Sequence, residues 1–82
     1  MFNKIKGLTF GQQVTIGVLD AVDQLHEIEG TVAKRLHKGP RGYQIIIRNR
    51  KNNRTAAYLV NQIDQIYEGW DRYVNKYTKK IN

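Results

Sequence analysis

Hydrophobic and polar residues alternate along several short stretches of this chain. Val14-Thr15-Ile16-Gly17-Val18 is β-branched at every position but Gly17 and reads as a strand. The clearest strand is Tyr43-Gln44-Ile45-Ile46-Ile47-Arg48. Three consecutive isoleucines are stiff at χ1 and suit a pleated surface better than a helix. Tyr43, Ile45 and Ile47 fall on one face, so Tyr43 is expected in the core. Asn49-Arg50-Lys51-Asn52-Asn53 reads as a turn, because asparagine tolerates left-handed backbone angles. Thr55-Ala56-Ala57-Tyr58-Leu59-Val60 returns as a partner strand, with Tyr58 as the more exposed ring. Ahead of this hairpin, Lys38-Gly39-Pro40-Arg41-Gly42 joins two glycines to the chain's single proline and marks a tight turn.

Two segments carry both periods. Glu29-Gly30-Thr31-Val32 fits the middle of a strand, with Ile28, Val32 and Leu36 on one face. Val18, Val22, Leu25, Val32 and Leu36 also fall near helical spacing, with Asp20 as a cap and Gly39-Pro40 as a stop. Gly30 inside such a helix costs about 1 kcal/mol relative to alanine, which favours the strand. Near the C-terminus, Ile63, Ile66, Tyr67, Trp70, Tyr73, Val74 and Tyr77 follow a 3–4 spacing. That stripe makes either one helix capped by Asn61, or a strand over 63–68 broken at Gly69 and followed by a helix.

The preferred reading is mainly β. It has one domain over 1–82, with strands at about 12–19, 25–36, 43–48, 54–60 and 63–68 and a helix over about 70–80. Short strands joined by tight turns close into a small barrel, which removes unpaired edges. The expected architecture is therefore a five-stranded SH3-like or Sm-like barrel over about 12–68, with a C-terminal α-helix. The alternative is an α+β domain with a basic β-hairpin between two helices. The succession Val14-Thr15-Ile16, Ile28-Glu29-Gly30-Thr31-Val32, Ile45-Ile46-Ile47 and Leu59-Val60-Asn61-Gln62-Ile63-Asp64-Gln65-Ile66 resembles the barrel pattern of YolD-like proteins. Those are small proteins of Gram-positive bacteria and their mobile elements, some encoded beside translesion polymerases. The resemblance covers roughly residues 13–68 and implies a fold and a bacterial or phage setting.

Composition narrows the function classes. Eighty-two residues bury only about 60–65% of the unfolded surface, so the core is thin. The sequence has no cysteine, which removes disulfides and thiolate metal sites. No run approaches the ~18 apolar residues of a membrane span, and Gly11, Gln12 and Gln13 interrupt any signal-peptide core. The expectation is a cytoplasmic protein with no membrane partner.

Catalytic chemistry finds little footing. Without serine or cysteine, the side-chain hydroxyl and thiol nucleophiles reduce mainly to threonine, and Thr9, Thr15, Thr31 and Thr55 have no histidine close in sequence. A metal site would need His26 and His37 together with Asp23 or Glu27. His26 reads better as a surface neighbour of Glu27, and His37 as a neutral or phosphate-contacting group in a basic loop. Asp20, Asp23, Glu27 and Glu29 lack calcium-loop spacing and read as a solvated acidic face. Gly39-Pro40-Arg41-Gly42 lacks the ending of a phosphate-binding loop. The expectation is a non-enzymatic protein with no cofactor and no metal.

Charge changes the picture most. No Asp or Glu occurs between Glu29 and Asp64, a stretch of 34 residues that holds eight of the fourteen basic side chains. That segment carries +8, and the six basic and seven acidic residues elsewhere leave −1. Segregation of this kind produces a positive potential that attracts polyanions. The candidate contacts are Lys34, Arg35, Lys38, Arg41, Arg48, Arg50, Lys51 and Arg54, with Tyr58 as a surface for an unpaired base. Asn49, Asn52 and Asn53 add neutral donors and acceptors. The expected function is a small nucleic-acid-binding module, regulatory or accessory in a bacterium or phage, with DNA or RNA as partner. The alternative is a protein–protein adaptor or homodimer that uses the basic face or the C-terminal aromatic helix.

Overall fold

A computed structural model of the chain describes residues 1–70. A short helix α1 (Phe2–Lys6) is followed by β1 (Gln13–Leu19), β2 (Leu25–Gly39), β3 (Gly42–Asn49), β4 (Thr55–Leu59), one 3-10 turn (Val60–Gln62) and β5 (Ile63–Glu68). All strand pairs are antiparallel, and the sheet order is β4-β3-β2-β1-β5. Four strands form a meander, and β5 then crosses back to pair with β1. The edges are β4 and β5. The sheet is not closed, since no backbone ladder joins them.

The mainly β reading holds over the described residues. The competing helix over 20–37 is a strand from Leu25 onward, and 63–68 is likewise a strand. Both misleading periods have a local cause. Ile63 and Ile66 lie three apart, yet both reach the core. The β1–β5 register shifts between Gly17 and Val18, pairing Ile66 with Ile16 and Ile63 with Val18. A bulge of this kind lets one extra residue intervene without turning the strand over. In the upstream stripe, Val22 is 73% exposed in the β1–β2 turn and Leu25 is also exposed, so neither is a core position. The helix expected over about 70–80 lies, beyond Trp70, outside the described residues. Among the described residues no helix is long and apolar enough to cross a membrane.

The core comprises Ile5, Leu8, Val14, Ile16, Val32, Ile45, Ile47, Ile63 and Ile66. Val14, Ile16, Val32, Ile45 and Ile47 come from the alternating faces of β1, β2 and β3, as the sequence pattern requires. Ile5 and Leu8 come from a segment with no strand or helix expectation. Ile5 is fully buried from α1. Beyond α1, the Gly11 N–H donates to Val32 O at 2.8 Å and the Val32 N–H to Gln12 O at 3.0 Å, which fastens the N-terminal segment along β2. Interior strand β1 is buried on both faces at Val14, Thr15 and Ile16. Thr15, buried on the side opposite Val14 and Ile16, donates its hydroxyl proton to Gly69 O at 2.8 Å.

Candidate functional site

All eight basic side chains of 34–54 are exposed; Lys38 and Arg41 lie at the β2–β3 turn, Arg50, Lys51 and Arg54 at the β3–β4 turn, and Lys34, Arg35 and Arg48 along the strands between. β3 runs from Gly42 to Asn49 and separates the β2–β3 turn from the β3–β4 turn. At about 3.3 Å per residue its length is about 23 Å.

At the first end, Gly39 pairs with Gly42, so Pro40 and Arg41 alone form the connection. Gly42 has φ +123°, a conformation that glycine adopts without a Cβ penalty. Lys38 pairs with Tyr43 at the base of this turn. Farther along β2, Lys34 pairs with Ile46 between two register shifts of the β2–β3 ladder, and Arg35 falls within the second, so both leave regular alternation. His37 locks this irregular stretch. Its Nδ1–H donates to Arg35 O at 2.7 Å, and its Nε2 accepts from the Gln44 amide at 3.0 Å. Both ring nitrogens are thus engaged in shaping the strand that carries Lys34 and Arg35.

At the second end, the asparagines build the turn. Asn49 Oδ1 accepts from the Lys51 N–H at 2.8 Å, and Asn52 Oδ1 accepts from the Arg54 N–H at 2.9 Å. Asn53 takes φ +60°, the left-handed conformation anticipated for this segment. The oxygens of Asn49 and Asn52, expected as ligand contacts, are therefore occupied by backbone. Arg48 reaches across to Asn53 O at 3.3 Å.

Arg50 differs from the other basic residues. Its N–H donates to Glu29 O at 2.8 Å, its Nη1 stands 3.4 Å from Glu29 Oε1, and its guanidinium lies 4.5 Å from the centre of the Trp70 ring. The Trp70 indole N–H in turn donates to Gly30 O at 2.8 Å. The last acid before the basic run thus folds back onto it. Pairing of Gly30 with Asn49 across β2 and β3 brings the two together. Glu29 and Arg50 are 21 residues apart in sequence, and only the strand register reveals their contact. Among the described residues, Lys34, Arg35, Lys38, Arg41, Arg48, Lys51 and Arg54 form no ion pair.

The two tyrosines exchange the roles expected of them. Tyr58 pairs with Ile45, faces the same side and packs half-buried against the core. Burial pushes its phenol pKa above the ordinary value of 10.0. Tyr43 shares the face of Ile45 and Ile47 but sits at the rim, where the strand begins, and is 48% exposed. Phe2 meets it edge to face, with ring centres 5.0 Å apart and planes at 83°. Beside this pair lies an open groove of about 420 Å³ between α1, the β2–β3 turn and the 3-10 turn. Phe2, Tyr43, Leu59, Val60 and Ile63 supply apolar walls, with Arg41 and Asn61 also lining it. Sequence alternation placed Tyr43 on the correct face, but only the position of α1 makes the groove.

The acidic residues serve the β1–β2 turn. Asp20 Oδ1 accepts from the Val22 and Gln24 N–H groups, each at 2.9 Å, and Oδ2 lies 2.8 Å from His26 Nε2. The bond to His26, joined by the Gln24 N–H, holds the Asp20 carboxyl below its ordinary pKa. His26 is thus tied to Asp20 and His37 to Arg35 and Gln44. Among the described residues, no three His, Asp or Glu groups converge on a common point suited to a metal. In comparisons with known proteins, no family model, no curated protein and no solved structure matches this chain.

Proposed function

We propose that the chain is a small non-enzymatic nucleic-acid-binding module that holds phosphates with the basic side chains of 34–54. One observation carries this reading. Seven exposed cationic groups have no carboxylate partner among the described residues, although six acids, Asp20, Asp23, Glu27, Glu29, Asp64 and Glu68, lie among those residues. An exposed guanidinium or ammonium without a partner keeps its full attraction for a polyanion, and arginine grips phosphate through two parallel N–H bonds. The contacts are unequal. Lys38 and Arg41 stand at the β2–β3 turn, Lys51 and Arg54 at the β3–β4 turn, and Lys34, Arg35 and Arg48 along the strands between, with Lys34 opposite Ile46. Arg50 contributes mainly to its own turn, because Glu29 compensates its charge.

In this reading the scaffold is an SH3-like barrel left open between β4 and β5. Support comes from the short link between those edges, a single 3-10 turn at Val60–Gln62, and from the return of β5 to β1. The Gln62 side-chain oxygen accepts from the Leu59 N–H at 3.0 Å and tightens that link. Curling protects the sheet from edge-to-edge pairing and leaves the two basic turns pointing away from each other.

The test is a titration of the full chain with fluorescent single-stranded and duplex oligonucleotides of random sequence between 50 and 200 mM salt. Each phosphate contact contributes about −0.7 to the slope of log K against log salt for single strands and about −0.9 for duplex. Engagement of Lys34, Arg35, Lys38 and Arg41 alone gives about −2.8 with a single strand, and engagement of all seven groups gives about −4.9. Replacing Arg48 and Arg54 together by alanine reduces a slope near −4.9 by about 1.4 and leaves one near −2.8 unchanged. Absence of binding to every oligonucleotide at 50 mM salt would overturn the proposal.

A further inference from the structure

We infer that the groove between α1 and the β2–β3 turn receives an unpaired base, so that the polyanion this protein selects is single-stranded nucleic acid. The inference rests on the nucleic-acid reading above and adds the strand class and the side chain that chooses it. Its starting point is the pairing of an apolar groove with unpartnered cations. Tyr43 and Phe2 pack edge to face with their planes at 83°, and both rings line the groove. Leu59, Val60 and Ile63 supply the remaining apolar wall. Arg41, Asn61 and the Tyr43 hydroxyl are the polar side-chain groups among the residues that line it. Such a cleft suits a planar, largely apolar group that needs one or two hydrogen bonds at its edge, which describes a nucleobase.

Charge decides between a base and an apolar peptide side chain. Arg41 both lines the groove and forms the turn, and Lys38 pairs with Tyr43 in the adjoining ladder. Neither has an ion-pair partner among the described residues. An occupant must therefore bring negative charge within reach of a ring placed on Tyr43. In a nucleotide strand the phosphates flank every base and meet this requirement directly. In a duplex the base faces are stacked on their neighbours, so the groove cannot be filled without extruding a base, which carries an unstacking and unpairing cost. Selectivity for single strands follows from that difference, while the cations alone attract either form.

Stacking of one base on an aromatic ring has a characteristic size. Loss of the ring weakens binding by roughly 5- to 150-fold, without changing the number of phosphates held. A cationic patch has the opposite signature, in which loss of a cation changes the salt slope.

The experiment compares wild type, Tyr43→Ala and Tyr43→Phe by fluorescence anisotropy at about 50 mM salt. The probes are single-stranded DNA, single-stranded RNA, duplex DNA and an abasic strand of equal length and charge. Tyr43 is a half-exposed rim residue, and circular dichroism verifies that each variant is folded. The expected result is tighter binding of wild type to one or both base-bearing single strands than to the duplex and the abasic strand. Tyr43→Ala removes that preference with an unchanged salt slope, and Tyr43→Phe retains it. Equal affinity for base-bearing and abasic strands, or full preference in Tyr43→Ala, overturns the groove assignment and leaves phosphate binding standing. Failure to bind any of the four probes overturns both.

Discussion

Replacing Gly30 by alanine is expected to be the most damaging one-carbon change in this fold. Gly30 occupies the middle of β2, opposite Val14 on one side and Asn49 on the other. A Cβ placed there would stand 2.3 Å from Arg48 O and 2.6 Å from Ile47 Cγ2. Ordinary non-bonded carbon contacts lie at about 3.5–4.0 Å, so β3 must retreat by roughly 1 Å. The closer clash is with backbone, which no rotamer change relieves. The displaced strand carries Ile47 in the core, and Gly30 itself holds the Trp70 indole. Overpacking costs about 1–3 kcal/mol, and a backbone clash belongs at the upper end. For 82 residues total stability is about 4–12 kcal/mol. A loss of about 3 kcal/mol is therefore at least a quarter of the whole, and lowers Tm by about 12–24 °C. Gly17→Ala supplies the control. Its Cβ would meet Leu25 Cδ1 at 3.1 Å, the free end of an exposed side chain, and the cost stays within about 1 kcal/mol. Urea denaturation followed by circular dichroism ranks the two variants. Gly30 is not in the left-handed region, so reduced unfolded-state entropy on its own would make Gly30→Ala stabilising by about 0.4–1 kcal/mol. A wild-type midpoint for Gly30→Ala, or a larger loss in Gly17→Ala, would refute the steric argument.

Three further outcomes follow from individual contacts. Asp20 has a folded pKa below its unfolded value near 3.8, so its stabilisation is complete above that value and disappears as pH falls through the folded pKa. Asp20→Asn keeps an oxygen for the Val22 and Gln24 N–H groups but loses the charge beside His26. Its urea midpoint should therefore lie below wild type at pH 7 and converge with it in acid; a pH-independent gap contradicts this. Tyr58 has a raised pKa, so its contribution is intact below pH 10.0 and declines as pH climbs from there to the folded value. The difference between the absorbance titrations of wild type and Tyr58→Phe should show one phenol ionising above pH 10.0, and a difference midpoint at or below 10.0 would contradict the burial argument. Trp70 is the only tryptophan, and Arg50 lies over its ring. Arg50→Ala should shift the emission and cost about 1 kcal/mol, and a cycle with Trp70→Phe should show coupling of about 0.5–1 kcal/mol; strict additivity excludes the contact.

The strands were legible because β-branched runs such as Ile45-Ile46-Ile47 admit few conformations, and because Gly39-Pro40 and Asn49–Asn53 mark the turns between them. Periodicity misled wherever a bulge intervened. Ile63 and Ile66 imitate a helix only because the β1 register slips at Gly17. Helix α1 was hidden for a different reason. Five residues carry too few apolar positions to establish a period, and Met1 provides no capping side chain. Exposure of Tyr43 was equally invisible, because strand alternation gives a face and not a depth along the strand. The basic side chains of 34–54 were read directly from composition. The compensation of Arg50 by Glu29 was not, since charge counting ignores register.

That compensation bears on how an acid-free stretch should be interpreted. Thirty-four residues without Asp or Glu look like one basic surface, but a meander sends successive turns to opposite ends of its strands. A strand of eight residues separates the two turns by about 23 Å, well over the Debye length of roughly 8 Å at physiological salt, whereas Lys34, opposite Ile46, stands only two residues along the ladder from Arg48. On the proposed reading, the cations at the two turns therefore meet a polyanion separately, with Lys34, Arg35 and Arg48 between them. Their chemistry also differs. The β2–β3 end adds an exposed tyrosine and an apolar groove to its cations, whereas the β3–β4 end is a self-bonded asparagine turn with one arginine neutralised. On the proposed reading, discrimination resides at the first end and the second contributes charge alone. Net charge measures the sum of these two ends, and the strand register decides what each of them can recognise.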